Sequence, residues 1–260
     1  MRIAICLSGL SRCALLTFES LISNLAIPLN ADIFIHTWDI DDDKNRFGSS
    51  VNSAKSLGSS KTEFFAQYEQ VKGVIIEQFS SNWNFLNVRS VANVVPMYYS
   101  IFKANQLKIA HEQQQGIDYD VVIRSRFDSL YQSNLIQHEL TEAANNTNII
   151  FVGLNAINKG PYASRRNFKS ENTGEPFVAD NFAFGASAAM NLYSETYCNL
   201  SDIFNCTSSP ETCLGIHLIH NKLTPVWTEY KYKSLIEWGP TESIFWSDYE
   251  KAETLYIPQG

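Results

Sequence analysis

Three short polar clusters carry the residue types that anion binding and proton transfer need, and each follows an apolar run. The first is Ser8-Gly9-Leu10-Ser11-Arg12. A glycine lets the backbone approach a ligand, serine hydroxyls donate hydrogen bonds, and an arginine fork matches phosphate oxygens. A strand-to-helix turn with a serine N-cap uses the same residues without a ligand. The second is His36-Thr37-Trp38-Asp39, whose imidazole, indole and carboxylate suit the stacking and hydrogen bonding of a nucleobase and ribose. A core tryptophan beside a satisfied histidine is the structural alternative. In the third, Arg124-Ser125-Arg126-Phe127-Asp128, alternation along an extended strand end puts Arg124, Arg126 and Asp128 on one face. Two guanidiniums suit a diphosphate, and the Asp128 carboxylate suits a sugar hydroxyl or a divalent cation, Mn²⁺ or Mg²⁺, bridging that diphosphate. A structural arginine–aspartate pair has the same composition.

Two carboxylates lie further along. Asp180, in Val178-Ala179-Asp180-Asn181-Phe182, stands between a polar loop and a β-prone run, where a carboxylate can accept the proton of a hydroxyl. Glu211 follows Pro210 at an expected helix start, as acceptor ligand or general base, or simply as an acid favoured by the helix dipole. Tyr99 and Lys103 sit one turn apart on an expected helix, from which Lys103 can reach a phosphate or the base, although a solvated lysine has the same look. The i, i+3 spacing of His217 and His220 gives no reason to read a metal pair.

The elements that must position these residues alternate between β and α. Residues 3–7 and 31–36 read as buried strands, the second pairing parallel to the first, with helical spacing over 13–25 between them. Residues 41–60 read as a surface loop and 61–70 as a helix. Residues 74–79, 119–123 and 148–152 are further strands. A helix over 97–115, opened by Pro96 and ended by Gly116, lies between the first two of them. Residues 155–176 form a long, locally basic loop suited to a lid over an anionic donor. Strand 177–184, helices near 186–205 and 210–221, and a β-prone tail over 225–232 complete the chain. The pattern implies one Rossmann-like α/β domain, a mainly parallel sheet covered by helices, with ligands beyond the carboxyl ends of the strands.

Composition narrows the partners. With 260 residues, 45% hydrophobic and 18% charged, the chain can close its own core. A net charge of −7 argues against nucleic acid, which requires clustered Lys and Arg. Cys6, Cys13, Cys198, Cys206 and Cys213 show neither zinc-ligand spacing nor a disulfide framework. The apolar run that stops at Ser8 is too short for a signal peptide and no transmembrane stretch is present, so the expectation is a cytoplasmic protein, with peripheral membrane association open. The sequons at Asn145, Asn199 and Asn205 are then incidental.

Read in order, Arg2-Ile3-Ala4-Ile5-Cys6-Leu7-Ser8-Gly9, Asp32-Ile33-Phe34-Ile35-His36-Thr37-Trp38-Asp39 and Tyr119-Asp120-Val121-Val122-Ile123-Arg124-Ser125-Arg126-Phe127-Asp128 resemble the bacterial lipopolysaccharide and capsule glycosyltransferases related to the WavE family. The similarity extends through Met97-Tyr98-Tyr99-Ser100-Ile101-Phe102-Lys103-Ala104-Asn105 and Ala179-Asp180-Asn181-Phe182-Ala183-Phe184-Gly185 to Pro210-Glu211-Thr212. It implies a GT-A type fold, with a nucleoside diphosphate sugar held by residues 1–130 and a glycan or lipid-linked acceptor held by 131–260. Arg126-Phe127-Asp128 stands where many such enzymes carry Asp-x-Asp. Arg126 departs from that pattern and leaves one carboxylate for a cation, whose charge a guanidinium can partly replace. Two other readings use the same residues: a sulfotransferase-like enzyme with a phosphosulfate turn at Ser8–Arg12, and a non-catalytic carbohydrate-binding protein on a glycosyltransferase fold.

Overall fold

A computed structural model describes residues 1–11, 13–40, 57–79, 94–131, 135–153, 176–204, 209–228, 230 and 232–234. Arg12, residues 41–56 of the expected surface loop and 155–175 of the expected lid lie outside them. The chain runs through β1 (Ile3–Gly9), α1 (Ala14–Leu21), β2 (Asp32–Trp38), α2 (Lys61–Ala66), β3 (Val71–Glu77), α3 (Val94–Gln115), β4 (Val121–Ser125) and β5 (Ser129–Tyr131). It continues through α4 (Gln137–Asn145), β6 (Ile149–Val152), β7 (Ala183–Ala186), α5 (Ser187–Ser194), α6 (Leu200–Ile203), α7 (Pro210–His220), β8 (Thr224–Trp227) and β9 (Tyr232–Ser234).

Seven strands form one sheet in the order β3-β2-β1-β4-β7-β6-β8, and β5 pairs with β9 in a two-stranded ribbon. The pairings of β1 with β2 and β4, β2 with β3, and β6 with β8 are parallel, whereas β7 runs antiparallel to both β4 and β6. The fold is therefore α/β and mostly parallel, compatible with a Rossmann-like arrangement. No helix among the described residues is long and apolar enough to cross a membrane.

Strands buried on both sides need apolar residues at successive positions. In β1, Ile3, Ile5 and Leu7 join the core on one face, and Ala4 and Cys6 join the core on the other. The same division separates Ile33 and Ile35 from Phe34, and Val121 and Ile123 from Val122. The first face packs Ala14, Phe18 and Leu21 of α1, Phe65 of α2 and Leu140 of α4; the second packs Tyr98 and Ile101 of α3, Met190 and Tyr193 of α5, and Leu214 of α7.

Several local expectations change. The turn after β1 uses no serine N-cap: α1 starts behind Cys13 in the left-handed region (φ 64°), with no side-chain cap. Pro96 lies inside the first turn of a helix that already runs from Val94, where a missing N–H costs nothing. Gly116 does end that helix, at φ 65°. Of the strand expected over 177–184, only Ala183 and Phe184 fall in a strand, β7, which runs on to Ala186, and the helix expected over 186–205 divides into α5, a 3-10 turn at Glu195–Asn199 and α6. Arg124, Arg126 and Asp128 do not share the face of an extended strand, because β4 stops at Ser125 and the chain turns at Phe127 and Asp128.

The covering helices are tied by a buried lysine. The Lys108 ammonium uses its three donors on Glu112 (2.9 Å), Ser187 (2.8 Å) and Asn191 (3.0 Å), joining α3 to α5. Lys108→Met should lower stability by about 3 kcal/mol, because it strips the ammonium from three half-buried polar partners, one of them the Glu112 carboxylate. Urea unfolding checks this, and an unchanged midpoint would show that those bonds only offset the desolvation of the lysine.

Candidate functional site

The strand order reverses at the β1–β4 pair, and in such sheets the crevice beyond the carboxyl ends opens there. Register brings the three polar clusters to this edge. Ser8 aligns with His36, and Cys6 with Arg124, so Ser8, His36 and Arg124 all lie on the face covered by α3, α5 and α7. Each is enclosed: Ser8 is 2% exposed, His36 0% and Arg124 2%. Among the described residues, Ser8 Oγ, His36 Nε2, Arg124 Nε and Nη1, and the Tyr193 hydroxyl lack hydrogen-bond partners. Thr37 points to the opposite face, and its hydroxyl is also unpartnered. Buried polar groups in native proteins are nearly always paired, so several orphans on one face at a topological switch make this edge the candidate ligand site.

At the β2 side, Ser100 of α3 locks the strand ends together. The Gly9 N–H donates to Ser100 Oγ at 2.8 Å, and that oxygen lies 2.7 Å from His36 Nδ1 and 3.2 Å from the His36 carbonyl. Gly9 adopts φ 114°, a conformation that disfavours any side chain. His36 Nε2 is 3.7 Å from Glu77 at the end of β3. The same carboxylate accepts from the Tyr99 hydroxyl at 2.8 Å and meets the Lys103 ammonium at 3.1 Å. Burial opposes the Glu77 charge, but Tyr99 and Lys103 hold its carboxyl below the usual value. Trp38 is a buried ring, stacked on Tyr99 with centroids 5.7 Å apart. His36, Trp38, Tyr99 and Lys103 are thus brought together, with Trp38 packed as core and Lys103 paired to a carboxylate.

At the β4 side, Arg126 donates from Nε to Asp128 Oδ1 at 2.9 Å and from Nη2 to Asp128 Oδ2 at 2.5 Å. Burial works against this guanidinium's charge, but Asp128 and then Asp180 hold it firmly protonated. Glu211 shares the neighbourhood: burial and the nearby Asp180 charge raise its carboxyl above the usual 4.5, partly opposed by the Ser209 hydroxyl, which donates to it at 3.0 Å. Asp180 is 6% exposed. Arg126, Asp128, Asp180 and Glu211, from separate parts of the chain, therefore form one electrostatic group.

Because the guanidinium occupies both carboxylate oxygens, Asp128 as placed does not fit a cation ligand. Among the described residues, no three of His, Cys, Asp and Glu gather as a metal site. His217 is a structural residue, its Nε2 2.7 Å from the Leu192 carbonyl.

Sequence reasoning overlooks Glu77, Ser100, Tyr98 and Tyr193. Glu77 has a usable signal, since it ends a strand at the binding edge; the others occupy helical positions that read as core. No protein-family model matches the sequence, and a search of curated proteins finds no match.

Burial drives the His36 pKa down from 6.5 to about 4, only partly offset by Glu77. With the folded value below the ordinary one, the stability tied to neutral His36 is complete above pH 6.5 and is lost as pH falls through about 4. Urea midpoints across this window should fall in the wild type and flatten in His36→Gln. The same slope in both would show that His36 does not carry the acid sensitivity.

Proposed function

We propose that the protein is a GT-A type glycosyltransferase that moves a sugar from a nucleoside diphosphate donor to a hydroxyl of a cell-surface glycan such as lipopolysaccharide, O-antigen or capsule. It would work in the cytoplasm, at the membrane where a lipid-linked acceptor requires it. The observation that carries this reading is the convergence of Asp180 and Glu211 with Arg126 and Asp128 at the carboxyl edge beside β1 and β4. Such a site places proton acceptors next to fixed positive charge, as attack by a hydroxyl and departure of a phosphate require.

The sheet supports the same division of labour. Its parallel half, β3-β2-β1-β4, offers the ends of β1, β2 and β4 to the nucleotide, while Asp180 precedes the reversed β7 and Glu211 opens α7. In this reading the acceptor hydroxyl gives its proton to Asp180 or Glu211 and its oxygen bonds the anomeric carbon. The bond from that carbon to the diphosphate breaks, and the electron pair leaves with the diphosphate. Ser8, Gly9, His36, Tyr99 and Lys103 shape the donor end, Thr37 lying on the other face, and Arg126 orients Asp128 towards the sugar. Arg12, outside the described residues, is a further candidate from the sequence alone.

One observation favours a second reading, a carbohydrate-binding protein without turnover: the Arg126–Asp128 pair closes the position where the resemblance expects an acidic pair.

A thermal-shift panel of UDP, GDP, CDP, dTDP, CMP and 3′-phosphoadenosine-5′-phosphate, each with and without Mn²⁺, should show stabilisation by one nucleoside diphosphate, with no requirement for the ion. The matching sugar nucleotide, incubated with a glycan acceptor extract, should release the diphosphate. Asp180→Asn or Glu211→Gln should slow release about a hundredfold with the thermal shift intact. A shift without release in the wild type would favour the binding protein, and a response to the phosphoadenosine compound alone would favour a sulfotransferase.

A further inference from the structure

Arg126 has its counter-charge in Asp128, but Arg124 has none among the described residues. Its side chain follows the alternation of β4 into the face that holds Val122 and Tyr193, and it is 2% exposed, with Nε and Nη1 unpartnered. No hydrogen bond engages this guanidinium among the described residues. The Tyr193 hydroxyl, at the end of α5 on the same face, is buried and unpartnered, and its surroundings include the Arg124 charge and the Asp180 carboxylate. Ser8 Oγ, another buried orphan, lies next to the last residue of β1, the strand paired with β4.

A buried cation without partners is among the costliest arrangements in a protein interior. Guanidinium and phenol both donate, so what completes them must accept and carry negative charge. A base or sugar hydroxyl would leave the charge uncompensated. No hydrogen bond or ion pair joins Arg124 to Asp180 among the described residues, and the Asp180 carboxylate also lies within the field of Arg126.

We propose that Arg124 and Tyr193 form a buried oxyanion subsite that takes one phosphoryl or carboxylate group of a substrate directly, without a bridging cation. The inference rests on the carboxyl edge being a ligand site, and it holds whether or not sugar transfer follows. The group belongs either to the diphosphate of the donor or to an acidic sugar.

The full chain is tested by thermal shift and calorimetry in excess EDTA with inorganic phosphate, pyrophosphate and glucuronate as probes. Wild type should be stabilised by at least one probe. Phosphate and pyrophosphate without glucuronate assign the subsite to a phosphoryl group; glucuronate without the others assigns it to an acidic sugar. Arg124→Met should match or exceed the wild-type midpoint without ligand, because an apolar side chain replaces an uncompensated charge, and it should lose the probe-dependent shift. Tyr193→Phe removes only a hydroxyl that has no partner among the described residues. It should keep the midpoint and weaken probe binding about tenfold. The proposal is overturned if no probe binds the wild type, if Arg124→Met keeps the shift, or if Arg124→Met unfolds at a markedly lower temperature while Tyr193→Phe binds like wild type. Diphosphate release is not read in any arm, so a failed transferase assay and a failed subsite stay distinguishable.

Discussion

Arg124 lies next to the last residue of β4, a strand covered on both faces, is 2% exposed, and has no counter-charge among the described residues, and the carboxyl edge of the sheet is organised around that constraint. The cost is tolerable only if the rest of the sheet is stable enough to bear it. The near-continuous apolar runs of β1, β2 and β4 supply that stability, packed between the helices of both faces. The Lys108 tie between α3 and α5 braces the wall that encloses Arg124 and Tyr193. In the proposed subsite, a charge left uncompensated until a ligand arrives would exchange stability for affinity, a common feature of functional sites.

Topology sets which groups meet that charge. Because the strand order reverses between β1 and β4, the helices that follow β1 and β2 cover one face and α3 covers the other, leaving the crevice at the switch. Because β7 runs against its neighbours, the segment leading into it arrives at the carboxyl edge and delivers Asp180 there. α7 adds Glu211 from its first turn, where the helix dipole favours the charged carboxylate and burial beside Asp180 disfavours it. The balance leaves Glu211 readier to hold a proton than an ordinary carboxylate. Ser100 fixes the other side, linking the Gly9 amide to His36 so that the ends of β1 and β2 keep their spacing.

Much of this is legible in the sequence, and what is not has physical reasons. Apolar runs ending in Ser8, His36 and Arg124 announce parallel strands with polar exits, because burial on two faces leaves few residue types to choose from. Direction is not announced: Ala183-Phe184-Gly185-Ala186 reads the same in a parallel or an antiparallel strand. Alternation past Ser125 misplaces Arg126 and Asp128, since where a strand stops depends on the neighbour it pairs with, and β7 has no residue for β4 beyond Arg124. The Arg126–Asp128 pair follows from that turn. Tyr193 and Ser100 are hidden because a tyrosine or serine in a helix buried against a sheet has the periodicity of core. Only the three-dimensional placement shows one hydroxyl unpartnered and the other holding three groups. Trp38 illustrates the converse: a residue type suited to stacking on a base is spent on packing against Tyr99.

The central claim is that the carboxyl ends of β1, β2 and β4 are where the nucleotide lies. Amide hydrogen exchange of the full chain, with and without whichever nucleotide stabilises it, measures this directly. The account predicts slower exchange at Ser8 and Gly9, His36 to Trp38, and Arg124 and Ser125, with no change in the first residues of the same strands. Protection confined to β8, α4 or the amino ends of the strands, with the switch edge unaffected, would contradict it.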